Sequence, residues 1–451
     1  QGSITAVAGG GVSSTGALTF TAGTNGSVTL NAAATSTGST LNLTSGTAAG
    51  TGVTVATGIL GRGQTGVNVT TGALTLTGTG ALTATNNNVA VQSNLATNAL
   101  TVAMGNGSAI NAAAAGADIT FNNTTAGAIT INNAGLGTIN ANDTVVLNGN
   151  TGAVSVNSAQ VNGTVTGSGA GFSVITAAGS LTANTVTATG AVTLTASAGA
   201  LTASNVSTNT GNTNLTAGNG SLLATNISNT SAAGTTTLSV TTGGNLTANN
   251  VTGNGAVTLT NSSGVGAGNV NLTGNVSSAN AALTITSGTA ATATTTLSPA
   301  VSASGTTVAV TTPTLSLGAG ASVNATTGGM DINSNAATGD LAVVLAAGSA
   351  INANAGGQTI RFNNLSANAV TINTNPGEGT ISASTGFVNF NGGAEAVNVD
   401  VNNIVGCVGG TGNPFNVAVD SGDLSLGGIT SAANLVFTAA AGGNITFCAN
   451  C

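Results

Sequence analysis

A phrase of the form Leu-x-Ala-x-x-Val/Ile recurs at Leu181, Leu201, Leu222 and Leu246, with Val186, Val206, Ile227 and Val251 five positions on. Each copy is followed by a second phrase, x-Leu-Thr/Ser, on Leu194, Leu215, Leu238 and Leu259. Apolar and polar residues alternate within a phrase, so one side of an extended strand faces a dry interior and the other faces water. A period this short, built of alternating strands and Gly/Asn corners, is the signature of a solenoid. Equivalent strands of successive coils then stack in parallel, about 4.8 Å apart. One coil cannot bury its Leu and Val alone, but its neighbours cover them. The expected fold is all-β: a single continuous parallel β-helix (β-solenoid) with about 20–24 residues per coil, the spacing of the copies.

A longer repeat overlies the short one. Leu41-Asn-Leu-Thr-Ser-Gly-Thr-Ala-Ala49 returns as Leu283-Thr-Ile-Thr-Ser-Gly-Thr-Ala-Ala291, and Gly107-Ser-Ala-Ile-Asn111 as Gly348-Ser-Ala-Ile-Asn352. Ile119-Thr-Phe-Asn-Asn123 returns as Ile360-Arg-Phe-Asn-Asn364, and Phe172-Ser-Val174 as Phe415-Asn-Val417. The offset drifts only from 241 to 244. The chain therefore reads as two tandem copies, 1–242 and 243–451, the second incomplete and continuous with the first. At about 21 residues per coil it makes roughly 21 coils, a rod on the order of 100 Å long.

Composition narrows the function. Charged residues are 2%, aromatics 2%, and His, Trp and Tyr are absent. Arg62 and Arg361 are the only basic residues. Disordered chains are charged and poor in β-branched residues; this one is rich in Val and Thr and has mean hydropathy +0.38. The net charge of −7, with two cations, excludes phosphate-backbone binding, so nucleic acid is not a partner. The strongest apolar run, Leu341 to Ala347, is too short for a membrane span. Gln1 is not a start methionine, and the expectation is a mature, exported chain found outside the cell or on its surface.

The tandem G-[AS]-[LV]-T-L-T and L-T-A-x-N-V phrases resemble those of filamentous-haemagglutinin-like exoproteins and autotransporter passengers. That resemblance implies a right-handed, roughly triangular β-helix that is exported and acts as an adhesin or surface fibre. The nine Phe sit in or beside strand phrases and are expected to pack inside.

Chemistry is scarce. Without His, Lys or Tyr the general bases reduce to carboxylates, and a Ser nucleophile has nothing to activate it. The nearest carboxylate pairs are Asp420 with Asp423, around a Ser-Gly turn, and Glu395 with Asp400. Neither has the aromatic or basic neighbours that hold a sugar for cleavage, and turn-capping Asp is the plainer reading. No enzymatic activity, cofactor or metal is expected. Asp420 and Asp423 could offer oxygens to Ca²⁺, but the Gly-rich nonapeptides of calcium-loaded β-rolls are missing. Cys448-Ala-Asn-Cys451 has zinc spacing, yet the ligand set is incomplete. Cys407, Cys448 and Cys451 are therefore disulfide candidates. Direct stacking would hold Cys407 and Cys448 roughly 10 Å apart, beyond a disulfide's reach unless the tail folds back. Cys448–Cys451, or Cys407 with either after a fold-back, both stay open, and each leaves one thiol spare. Asn-x-Ser/Thr triplets, as at Asn42, Asn68, Asn214, Asn245, Asn250 and Asn271, are expected in so Asn-rich a chain. Repeated corner Asn suit hydrogen-bonded ladders between coils.

A β-helix leaves a strand edge and an open core at each terminus, which proteins usually cap. Here Gln1, Gly2, Ser3, Ile4 and Thr5, and Asn444, Ile445, Thr446 and Phe447, read as coil phrases rather than caps. Complementary open ends make a heterologous contact that repeats without closing. The expected function is a secreted structural subunit of an extracellular filament or surface fibre, its partner another copy stacked head to tail. The alternative is a cell-surface adhesin rod that meets a host or matrix surface. A third reading is an ice-binding solenoid, from the outward pairs Thr193/Thr195, Thr237/Ser239 and Thr258/Thr260, interrupted by Asn214.

Overall fold

The alternation read from the sequence is the alternation found in space. In the strand Leu181–Ala188 the side chains of Leu181, Ala183, Val186 and Ala188 are buried, while Thr182, Asn184, Thr185 and Thr187 are exposed. Two consecutive outward residues, Asn184 and Thr185, carry the strand round a corner without ending it. In Leu222–Asn229 and Leu246–Gly253 the second of these is Asn226 or Asn250, with φ of 55° and 54°. That is the left-handed region, which Asn tolerates better than most L residues.

The computed structural model describes residues 2–94, 99–123, 125–132, 136–264, 268–336, 339–364, 368–372 and 378–448. These form an all-β parallel β-solenoid of about 18 turns, about 23 residues each, without a helix. The chain divides into two compact units, Gln1–Gly218 and Asn219–Cys451.

The first unit opens with coils of three short strands. Ile4–Ala6, Val12–Ser14 and Leu18–Thr21 pair in parallel with Val28–Leu30, Ala34–Ser36 and Thr40–Thr44, in the register Ile4↔Val28, Val12↔Ala34 and Leu18↔Leu41. At Thr138–Asn148 two strands fuse: its first half pairs with Ala109–Ala112 and its second with Ile119–Asn122. From there each coil is one bent strand and one straight one.

The second unit begins with bent strands. Leu246–Gly253 then pairs with two separate strands, Val270–Leu272 and Val276–Ser278. Ala248 aligns with Leu272 and Val251 with Val276, so the two-residue corner Asn249-Asn250 is answered by Thr273-Gly274-Asn275. The extra residue splits the strand. Fusion returns at Thr380–Asn391, which pairs with Ala350–Ala353 and Thr359–Asn364. Thr380 stands one tandem offset beyond Thr138, so the change of coil type repeats with the copy.

Three-strand coils are also longer than the phrases first measured. Asn352 stacks on Asn324 28 residues earlier, and Arg361 on Asp331 30 residues earlier. A third strand and corner need those residues, which is why the turns number about 18 rather than the 21 expected from the phrase spacing.

The core is a set of columns of Leu, Val and Ile, with Phe121, Phe172, Phe362, Phe390 and Phe415 fully buried as expected. Phe362 stacks on Phe390 with ring centroids 5.1 Å apart. Phe20, Phe387 and Phe437 are only half-buried, and Phe447 is 83% exposed because no described coil covers the strand Ile445–Phe447 on its far side. At the fused corners Gly163 and Gly406 hold φ of 108° and 124°, where any side chain would be strained.

Leu259 is fully buried and Thr258 beside it faces outward. Leu259→Ala should therefore cost about 2–5 kcal/mol, and Thr258→Ala under about 0.5 kcal/mol. Urea unfolding followed by circular dichroism measures both; equal losses would mean that the strand does not face as described.

Candidate functional site

Sequence proximity paired Asp420 with Asp423 and Glu395 with Asp400; the coil brings Asp400 and Asp420 together instead. Asp400 lies in Val397–Val401, and the N–H of Asp420, one coil on, donates to the Val401 carbonyl at 3.2 Å. Burial raises the Asp400 carboxyl above the ordinary carboxylate range, and the charge of Asp420 adds to the rise. Asp423 acts at a corner, its Oδ1 accepting from the N–H of Asn444 at 2.8 Å and from its Nδ2 at 3.3 Å. Asp118 and Asp340 do likewise for the N–H groups of Thr144 and Ala369, each at 3.1 Å. Among the described residues no three His, Cys, Asp or Glu side chains gather closely enough to hold a metal ion.

Of the open cysteine pairings, the structure has Cys407–Cys448, with S–S 2.03 Å and Cα–Cα 6.3 Å. Cys407 aligns with Ser425, and Ser425 with Thr446, so the two cysteines belong to coils on either side of Ser425. Cys448 lies past the end of Ile445–Phe447, where its N–H donates to the Leu426 carbonyl at 2.8 Å. The Cα–Cα distance of 6.3 Å is within a disulfide's reach, and the bond takes Cys448 out of any zinc set. Cys451 lies outside the described residues.

The residues expected at the coil ends are placed as follows. Gln1 is outside the described residues; Gly2, Ser3 and Thr5 are exposed and Ile4 is half-buried. Asn444, Ile445, Thr446 and Phe447 are all exposed. Among the described residues the strands Ile4–Ala6 and Ile445–Phe447 each pair on one side only, with Val28–Leu30 and Leu424–Thr430. Leu435 and Val436, in the other strand of the last coil, are 48% and 50% exposed.

The outer walls carry polar columns. In the first unit Thr193 aligns with Asn214 and Thr195 with Thr216. In the second, Thr237, Thr258 and Thr284 align, as do Ser239, Thr260 and Thr286. Asn ladders are more extensive than the corner pattern suggested. In the first unit Asn68 donates through Nδ2 to Asn42 Oδ1 at 2.9 Å, Asn140 to Asn111 at 2.7 Å, and Asn162 to Asn140 at 2.6 Å. In the second, Asn250 donates to Asn226 at 3.2 Å, Asn363 to Asn333 at 2.8 Å, and Asn391 to Asn363 at 2.7 Å. In each of these the later coil donates and the earlier one accepts.

Two grooves were not foreseen. One, of about 420 Å³, is lined by Thr83, Asn111, Ala112, Ala113, Asn140, Ala141 and Asn142. The other, of about 350 Å³, runs from Ser384 to Phe387 and along Gly406, Cys407, Ser425 and Cys448. Both lie beside a fused corner where the strand register slips, between Asn140 and Thr144 or between Ser382 and Phe387. The only trace of that slip in the sequence is a local loss of alternation.

No family model, curated protein or solved structure matches the chain. The parallel β-solenoid is the part of the likeness to haemagglutinin-like exoproteins that the structure bears out.

The 41-residue separation of the disulfide ties the last coils to the rest of their unit. Cys448→Ser should speed amide hydrogen exchange in Leu424–Thr430 and Ile445–Phe447 on the order of 10²–10³-fold, leaving the first unit unchanged. Unaltered exchange would show that packing alone holds those strands. A carboxyl with a raised pKa binds its proton more tightly in the folded chain than in the unfolded one. Its contribution favours the fold below the ordinary value of 3.8 and is lost as pH rises through the raised value. Asp400→Asn should thus melt higher than the parent at neutral pH, with the difference closing below 3.8. Thermal melts across that range test the sign.

Proposed function

We propose that the protein is a secreted structural subunit of an extracellular filament or surface fibre, in which β-helices stack end to end. The observation that carries this reading is the uncovered lining of the last coil: Leu435, Ile445 and Phe447, which continue the inward columns of Phe415, Leu424 and Leu426, are 48%, 44% and 83% exposed. In the opening coil of the first unit, Val7 and Val12 are 73% and 37% exposed. Apolar area of this kind favours a partner that buries it.

The second unit contains a template for that partner. Leu246 stands one tandem offset beyond Ile4, and the coil it begins rests in parallel on the preceding one, Leu222↔Leu246 and Thr236↔Val257. A coil of the kind that opens the chain thus accepts another beneath it. A second copy can supply the same parallel pairing between molecules, a heterologous contact that propagates. The disulfide suits an oxidising, extracytoplasmic setting. Only Arg62 and Arg361 offer trypsin a site, and both lie within paired strands. The likeness to exported haemagglutinin-like and autotransporter fibres agrees with this reading. An adhesin role is the second reading, favoured by the groove of the first unit.

Electron microscopy and light scattering over a concentration series test the proposal. Filaments that lengthen with concentration are expected, and Ile445→Asp or Phe447→Asp should shorten or abolish them. Particles of single-chain mass at every concentration would end the filament reading.

A further inference from the structure

The first unit contains one cation, Arg62, on the strand Leu60–Gly63, aligned between Thr35 and Thr83 on its outer face. Its Nε donates to Thr85 Oγ1 at 2.9 Å, which orients the guanidinium along the wall. Among the described residues the one salt bridge is Arg361–Asp331 at 3.3 Å, so Arg62 enters no ion pair. Beside it runs the amide ladder. Asn111 Nδ2 donates to Thr83 Oγ1 at 3.2 Å, Asn140 to Asn111 at 2.7 Å and Asn162 to Asn140 at 2.6 Å. Each amide of Asn111 and Asn140 spends one N–H and one lone pair on the ladder, and keeps a second of each for a ligand.

We propose that this groove binds an acidic saccharide, with the sugar carboxylate on the Arg62 guanidinium and the hydroxyls along Thr83, Asn111 and Asn140. A guanidinium recognises a carboxylate through two parallel N–H donors. Amides stacked about 4.8 Å apart present a row of paired donors and acceptors, which suits adjacent hydroxyls. Ala112 and Ala141, 2% and 7% exposed, give the groove an apolar floor for the C–H face of a ring. The volume of about 420 Å³ accommodates a short oligosaccharide. One cation provides for one carboxylate of such a sugar. Asp118 accepts from the N–H of Thr144, and neither Asp143 nor Arg62 is part of the lining; Arg62 stands at the groove's end, one coil before Thr83.

The second unit provides an internal control. Ser304 stands where Arg62 would be, aligned with Asn324, and Asn352 donates to Asn324 at 2.9 Å. The ladder persists there without the cation, and the neighbouring groove lies farther along, against the disulfide. One acidic-saccharide site per chain follows. This site does not depend on filament formation, and either proposal can fail without the other.

The test is calorimetric titration of the full chain with trigalacturonate and with its methyl ester, which keeps size and hydroxyls but removes the charge. Binding at one site per chain is expected, weakened roughly tenfold or more by esterification and by Arg62→Ala, and weakened by Asn140→Ala. Asn352→Ala should leave it unchanged, and added salt should reduce it. No binding of trigalacturonate, or equal affinity for the ester, overturns the proposal. So does full affinity in a folded Arg62→Ala chain. If Arg62→Ala does not fold, as judged by circular dichroism, the acid-against-ester comparison on the parent decides alone.

Discussion

Mutual cover between neighbouring coils is the constraint on which the rest of this protein depends. Leu194 or Leu259 is roofed by residues about one turn away in sequence, and by little else. The same stacking that covers the side chains pairs the backbone, since equivalent strands lie in parallel register coil after coil. Stability in such an architecture is close to a sum of nearest-neighbour terms. A coil with a neighbour on one side only, such as that of Leu435 and Ile445, is left with half its lining in water. The disulfide is placed where this deficit falls, spanning the coil of Ser425 from Cys407 to Cys448.

The outer surface solves a second problem. With 2% charged residues, solubility and strand order must come from neutral groups. Hydroxyl and amide columns do this by bonding to their own kind one coil away, as Asn140 does to Asn111. Inside, polar groups are placed with equal regularity. Ser45 and Thr71 meet at 2.9 Å in the first unit and Ser287 and Thr312 at 2.8 Å in the second. Asn94 and Asn335 then donate to the Ser45 and Ser287 carbonyls, each at 2.9 Å. The duplication thus preserved a buried hydrogen-bond arrangement as well as an apolar pattern.

Much of this was legible in the residues because strand alternation has a period of two and leaves little freedom of facing. The faces of Leu181, Ala183 and Val186 follow from that alone. The split of a bent strand into two does not, because it turns on a single added residue at Thr273-Gly274-Asn275. Asp400 and Asp420 sit one coil apart, yet proximity along the chain drew attention to Asp423 instead. The cysteine pairing joins residues two coils apart, which the stacking distance alone argued against. Arg62 was visible as one of two bases, but its lean onto Thr85 was not, and the groove beyond it accompanies a register slip between Asn140 and Thr144.

The uniform direction of the amide ladders has an electrical consequence. Each side-chain dipole in a column points the same way as the one below it, so within a unit the column is polarised like a row of aligned magnets. Its lowest member offers a spare proton and its highest a spare lone pair, and each added amide strengthens those already in line. A wall almost bare of formal charge therefore still distinguishes up from down.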